Sequence, residues 1–116
     1  MKKEDKLGDL SMQLSVDVLN MCKALKKQGE STISNQISRS ATSICANIAE
    51  SKYAHGRADF IAKLQIALKE CSESEYWLEL LIESGYYENN DILDKCIEVK
   101  KLLIASINTA KSKVVK

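Results

Sequence analysis

The chain has 116 residues, of which 45% are hydrophobic and 28% charged, with a formal net charge of +1. That is enough chain for one sizeable core, while no apolar run approaches the roughly 20 residues needed to span a bilayer. The charged N-terminus MKKEDKLGDL has no apolar signal region, so the expectation is a cytoplasmic protein without a membrane partner.

Proline is absent, and of the four glycines Gly29, Gly56 and Gly85 recur about every thirty residues, where helix ends are expected. In the first segment, Leu7, Leu10, Leu14, Val18, Met21 and Leu25 step by three or four, a coiled-coil-like seam stopped by Gly29. In the second, Ile33, Ile37, Ala41, Ile44, Cys45 and Ile48 share a face behind Ser31 or Thr32 as N-cap. The third aligns Phe60, Leu64, Ala67, Cys71, Ser74, Leu78 and Leu81, with Asp59 as its cap and Gly85 as its stop. The fourth repeats Ile92, Cys96, Val99, Leu103, Ile107 and Ala110 behind Asn90.

Long strict alternation is absent, which argues against strands. The fold class is therefore all-α, with one domain over residues 1–116 and helices near 5–28, 32–53, 59–84 and 90–113. Helices of this length joined by short linkers pack as antiparallel neighbours, an up-down-up-down four-helix bundle.

Two helices carry more apolar surface than one protomer needs. Met12, Val16 and Leu19 lie opposite the first seam, and Ala62, Ile66, Trp77 and Leu80 form a back stripe on the third helix. A helix that is apolar on two sides buries both, and an exposed tryptophan patch suits a partner surface. Self-association into a homo-oligomer is expected; the alternative is that Trp77 folds over the bundle edge.

Charge is unevenly spread. Residues 70–98 hold nine acids and one Lys, whereas 99–116 hold five Lys and no acid. The lysines Lys100, Lys101, Lys111, Lys113 and Lys116 are candidate nucleic-acid contacts, or else a solvated helix end complementing its own dipole.

The four cysteines fall one per helix, at 22, 45, 71 and 96. Measured from helix ends, Cys22 and Cys96 share one height and Cys45 and Cys71 another, roughly 9 Å away at a rise of 1.5 Å per residue. One metal with bonds of about 2.3 Å cannot reach all four, so buried free thiols are expected. The chain has a single histidine, His55, and lacks the Glu-x-x-His pattern of di-iron bundles, a P-loop and a dinucleotide fingerprint. Nothing places Ser, His and an acid as a triad. No enzyme activity, cofactor, metal or small-molecule substrate is expected.

Arg39, Ser43, Asn47 and Glu50 share one side of the second helix, away from its apolar seam. They form either an ordinary solvated face or a hydrogen-bonded network at a subunit contact. In the network, Arg39 pairs with Glu50 of another chain, or with Glu73 or Glu75 of the third helix.

The segments RSATSICANIAE at 39–50, DFIAKLQIALKE at 59–70 and EYWLELLIESGY at 75–86 resemble the bacterial four helix bundle protein family, some of whose members are encoded in intervening sequences of 23S ribosomal RNA genes. The likeness runs from about residue 10 to residue 110. Many members have Gly after the motif's Glu, where this chain has Ser51. The resemblance implies an up-down bundle assembled into a ring, commonly a homopentamer, with no activity established for most members. A related group, the accessory variability determinant of diversity-generating retroelements, forms a barrel-like pentamer that binds nucleic acid and a reverse transcriptase, and is more basic than this chain. The matching motif positions here are Arg39, Ser43, Asn47 and Glu50, with Ser72 or Ser74 and Glu75, read as determinants of assembly or fold.

Two functions follow as expectations. One is a non-enzymatic, ring-forming scaffold with RNA or a ribonucleoprotein as partner, with Arg39, Ser43, Asn47, Glu50, Ile66, Glu73, Glu75 and Trp77 at its interface or polar network. The other is a protein-interaction module presenting the acidic 70–98 surface to a basic partner, without nucleic acid.

Overall fold

A computed structural model of the chain describes residues 5–113, so Lys116 lies outside the described residues. They form four α-helices: α1 Lys6–Lys27, α2 Thr32–Ser51, α3 Arg57–Glu83 and α4 Asp91–Ser112. No strand occurs among the described residues, and no helix there is long and apolar enough to cross a membrane. Helix α3 begins two residues earlier than its cap residue Asp59 suggests, and α2 stops two residues before position 53.

The apolar seams become the core. Leu14, Val18, Ile37, Ile44, Leu78, Val99 and Leu103 have no exposed surface, and Leu7, Leu10, Ile33 and Phe60 close its ends as half-buried neighbours. Burying each large aliphatic side chain contributes about 1.5–3 kcal/mol, which is what holds helices of this length together. Each helix packs on two others: α1 on α2 and α4, α3 on α2 and α4. The α2–α3 contact is the most extensive. Small residues are fully buried on both helices, Ser40 and Ala41 on α2 and Ala67, Cys71 and Ser74 on α3. The Ser40 and Ser74 hydroxyls meet at 2.7 Å, so two polar groups in the core satisfy each other.

Helix ends obey capping chemistry, with three departures from the sequence expectations. Gly29 and Gly85 both adopt left-handed backbone, at φ 89° and 85°. In each case the following N–H returns to the carbonyl five residues back, Glu30 to Leu25 and Tyr86 to Leu81, while the glycine N–H bonds Lys26 or Ile82. This double bond satisfies carbonyls that would otherwise be orphaned at the helix end. A Cβ on Gly85 would touch nothing, so Gly85→Ala costs only the backbone conformation, about 1–2 kcal/mol. Urea melts should show that drop; an unchanged midpoint would mean the turn does not need its left-handed residue.

At the start of α2, neither Ser31 nor Thr32 caps. The N-cap residue Ser31 makes no side-chain bond, and the carboxylate of Glu30 accepts from the N–H of Ile33 and of Ser34, both at 2.8 Å. In α3, Asp59 does not occupy the N-cap, which is Gly56; it reaches back from inside the first turn to the N–H of His55 at 3.2 Å. In α4, Asn90 is the N-cap position without a side-chain bond, and Asn89 accepts from the N–H of Asp91 instead. Ser51, the residue after the motif's Glu50, is the last residue of α2. It is buried, bonds the Ile48 carbonyl at 2.6 Å, and needs no positive φ.

The expected pairing of cysteines by height is overturned. Cys71 and Cys96 are neighbours, their sulfurs 3.8 Å apart, and each thiol faces the other residue's carbonyl. The sequence estimate placed the end of α3 and the start of α4 on one rim. In the structure, Tyr86 and Tyr87 both donate their N–H to the Leu81 carbonyl, so the connection folds back beside α3 before α4 begins. The height counted from helix ends therefore does not hold, and residue 96 lies beside residue 71. Cys22 instead bonds the Ser34 carbonyl and accepts from Ser38. All four thiols are free.

Candidate functional site

The polar stripe on α2 faces the groove between α2 and α3. Arg39 spans that groove, donating to Glu70 at 3.2 Å and Glu73 at 2.8 Å. Glu73 also accepts the indole N–H of Trp77 at 3.0 Å, and the Trp77 ring meets Tyr76 edge-on, 5.3 Å between centroids. A continuous chain Glu70–Arg39–Glu73–Trp77 results. The Trp77 N–H, ahead of the Arg39 contact, holds the Glu73 carboxyl below its usual range despite partial burial. Arg39 is itself more than half exposed, so its ion pairs position the groove more than they stabilise the fold.

Further along α2, Glu50 accepts from Lys63 at 3.0 Å, a second tie to α3. Between the two ties, Asn47 donates to the Ser43 carbonyl and hydroxyl within its own helix. The set Arg39, Ser43, Asn47 and Glu50 is thus anchored at both ends to α3 of the same chain and satisfied locally in the middle. Glu75 stands apart, on the α4 side of α3, where it accepts from Lys100 at 2.6 Å.

Beside this groove lie the two outer apolar stripes. On α1, Met12, Val16 and Leu19 are 57%, 48% and 42% exposed; on α3, Ile66 and Leu80 are 44% and 37% exposed. Trp77, expected at the centre of the α3 stripe, is half-buried against the core, and Tyr76 takes the exposed position. On α2, the small residues Thr42, Ala46 and Ala49 are exposed.

The sequence profile of the 23S rRNA-intervening sequence proteins matches residues 3–105. The chain belongs to this family. A crystal structure of a protein of unknown function from the S23 ribosomal protein family of Bacteroides thetaiotaomicron superposes with a TM-score of 0.84 at 47% identity, covering 87% of this chain and 97% of that one. No curated protein matches the chain.

In this member of the 23S rRNA-intervening sequence family, the lysines of α4 differ in circumstance. Lys100 is half-buried and held by Glu75, whose hydrogen bond raises the lysine's affinity for its proton. Lys101, Lys111 and Lys113 are exposed. Among the described residues no group of three or more His, Cys, Asp or Glu is placed to hold a metal ion. The hydrogen bond between Cys71 and Cys96, and then burial, push the Cys96 thiol above its usual range, so its nucleophilic form is suppressed.

Sequence reasoning missed Glu70, Lys63 and Ser40. Glu70 sits three residues before Glu73, one turn along the same face, and that spacing is the signal that would have added it as Arg39's second acceptor. Ser40 is a serine on the core side of an apolar helix, next to Ala41, which points to a buried hydroxyl partner across the contact.

Proposed function

We propose that this protein is a non-enzymatic homo-oligomeric scaffold, an antiparallel up-down-up-down bundle whose copies close into a ring and present a surface to RNA or a ribonucleoprotein. Support for the antiparallel course lies in the connections, which have four, five and seven residues at 28–31, 52–56 and 84–90. Even fully extended they reach about 14–25 Å, less than the roughly 30–40 Å length of the helices they join.

The observation that carries the oligomer is the pair of exposed apolar stripes on α1 and α3. These two helices do not touch one another among the described residues, so the stripes are two separate patches. Two dissimilar patches on one protomer favour a head-to-tail contact, the α1 stripe of one copy against the α3 stripe of the next, and such contacts close into rings. Five copies is the number that the family resemblance implies. The polar chain through Arg39 and Glu73 borders that contact and fixes its register. The acidic region is less available to a basic partner than its composition suggests, because Glu70, Glu73 and Glu75 are already paired within the chain.

Light scattering gives the test. The unaltered protein should run as several copies of the 12.9 kDa chain. Val16→Lys and Ile66→Lys should each yield monomers, and mixing the two variants should restore a single pair of chains, since each retains one intact stripe. A monomeric unaltered protein sinks the reading, and two variants that fail to pair sink the head-to-tail geometry.

A further inference from the structure

A cleft of about 650 Å³ opens at the end of the fold where the α2–α3 turn meets the last turns of α4. That volume is within the ordinary range for a ligand site of roughly 300–1,000 Å³. Its charged lining is entirely cationic: Lys52 and Arg57 from the turn and Lys113 from the end of α4, with the hydroxyls of Ser106 and Thr109 between them. Lys52 is tied to Asp5, whereas Arg57 and Lys113 enter no ion pair among the described residues. Neither the Ser106 nor the Thr109 hydroxyl donates within the described residues, and the first turn of α3 has no side-chain cap. In the same turn, between the lining residues Lys52 and Ala54 but not itself part of the lining, Tyr53 stands 86% exposed, the most exposed large hydrophobic residue described, with exposed His55 two residues on.

Cations and hydroxyl donors around a cavity recognise phosphate oxygens, and an aromatic ring held out in solvent beside them offers a stacking face for an unpaired base. The geometry points to this cleft as the seat of a single-stranded nucleic acid, its phosphates held by Arg57 and Lys113 and one base stacked on Tyr53. This rests on the nucleic-acid partner of the proposed function, keeps Lys113 from the lysines that the sequence offers and adds Arg57 of the α2–α3 turn. Lys100 is not part of it, being held by Glu75 on another side. The site does not depend on the apolar stripes, because none of its lining residues belongs to them.

The test is fluorescence anisotropy with a labelled ten-residue oligouridylate at low salt, using inorganic phosphate as competitor. The unaltered protein binds, and Arg57→Gln with Lys113→Gln weakens binding at least tenfold. The double change also flattens the dependence of log affinity on log salt by about 1.4, two phosphate contacts' worth. Tyr53→Ala weakens the oligonucleotide about tenfold and leaves phosphate competition unchanged. All three side chains are exposed, so the variants should fold and keep the unaltered protein's mass in light scattering. Wild-type affinity in the Arg57/Lys113 variant, with loss on Lys101→Gln instead, overturns the site while the nucleic-acid reading stands. Binding of phosphate alone, with no oligonucleotide preference, overturns the strand. No binding by the unaltered protein overturns both the site and the nucleic-acid partner.

Discussion

Replacing Glu30 by alanine should lower the unfolding free energy by about 2–3 kcal/mol at pH 7. Glu30 is only 7% exposed, and its carboxylate accepts three hydrogen bonds: from the N–H of Ile33, the N–H of Ser34 and the Ser34 hydroxyl at 2.9 Å. Those N–H groups are the orphan donors at the positive end of α2, so the negative charge is also favoured by the helix dipole. Alanine leaves the donors without partners at a site largely closed to water. Burial by itself would raise the Glu30 carboxyl, but the hydrogen bonds from Ile33 and Ser34 outweigh it and the net direction is down.

The sign of the pH dependence follows. A carboxyl whose affinity for a proton is lower in the folded than in the unfolded state stabilises the fold above the unfolded value, near 4.5, and that contribution disappears as the pH falls through the folded value. Asp5 and Glu73 are shifted the same way and contribute to the same acid slope, so the informative quantity is the difference between proteins. Urea melts of the unaltered protein and Glu30→Gln should differ at pH 7 and converge as the pH falls below 4.5 and through the folded value. A gap that stays constant with pH would show that the carboxylate's charge is irrelevant to the cap.

The cap also shows where sequence reading reaches its limit. The seams were legible because burial on a helix repeats every three or four residues, and every position of the α4 seam, from Ile92 to Ala110, is buried. The outer stripes were legible by the same periodicity, and Met12, Val16, Leu19, Ile66 and Leu80 are exposed as expected. Glu30 was not legible, because Ser31 and Thr32 have stronger intrinsic cap preference. The Schellman turn at Gly29, which puts Glu30 one residue ahead of the N-cap, is a matter of backbone geometry that residue types do not specify. The neighbourhood of Cys71 and Cys96 was hidden for a related reason. Helix height was counted from helix ends, but the fold-back at Tyr86 and Tyr87 is set by two bonds to one carbonyl. At the polar stripe, periodicity put Arg39 on the correct side of α2 and named Glu73 among its acceptors. It could not choose Glu70 over Glu75, since that depends on how far α3 is rotated about its own axis.

The two leucines at 78 and 80 separate the core from the oligomer within a single turn of α3. Leu78 has no exposed surface, and Leu78→Ala removes its methyls from the core of a helix packed on both α2 and α4, a cost of about 3–5 kcal/mol. That loss belongs to the protomer, so the melting temperature should fall by a similar amount at every protein concentration. Leu80 lies 37% exposed on the outer stripe, and within a lone protomer Leu80→Ala should cost less than about 1 kcal/mol. If copies associate through that stripe, the folded state is stabilised by mass action and the melting temperature of the unaltered protein rises with concentration. Leu80→Ala should then flatten this rise while matching the unaltered protein at the lowest concentration, and Leu78→Ala should keep the slope and shift the whole line down. A concentration-independent melting temperature in all three proteins would leave the exposed leucine without a role and remove the assembly on which the scaffold rests. The comparison works because one residue of each pair faces inward and the other outward, 200° apart at 100° per residue on the same helix.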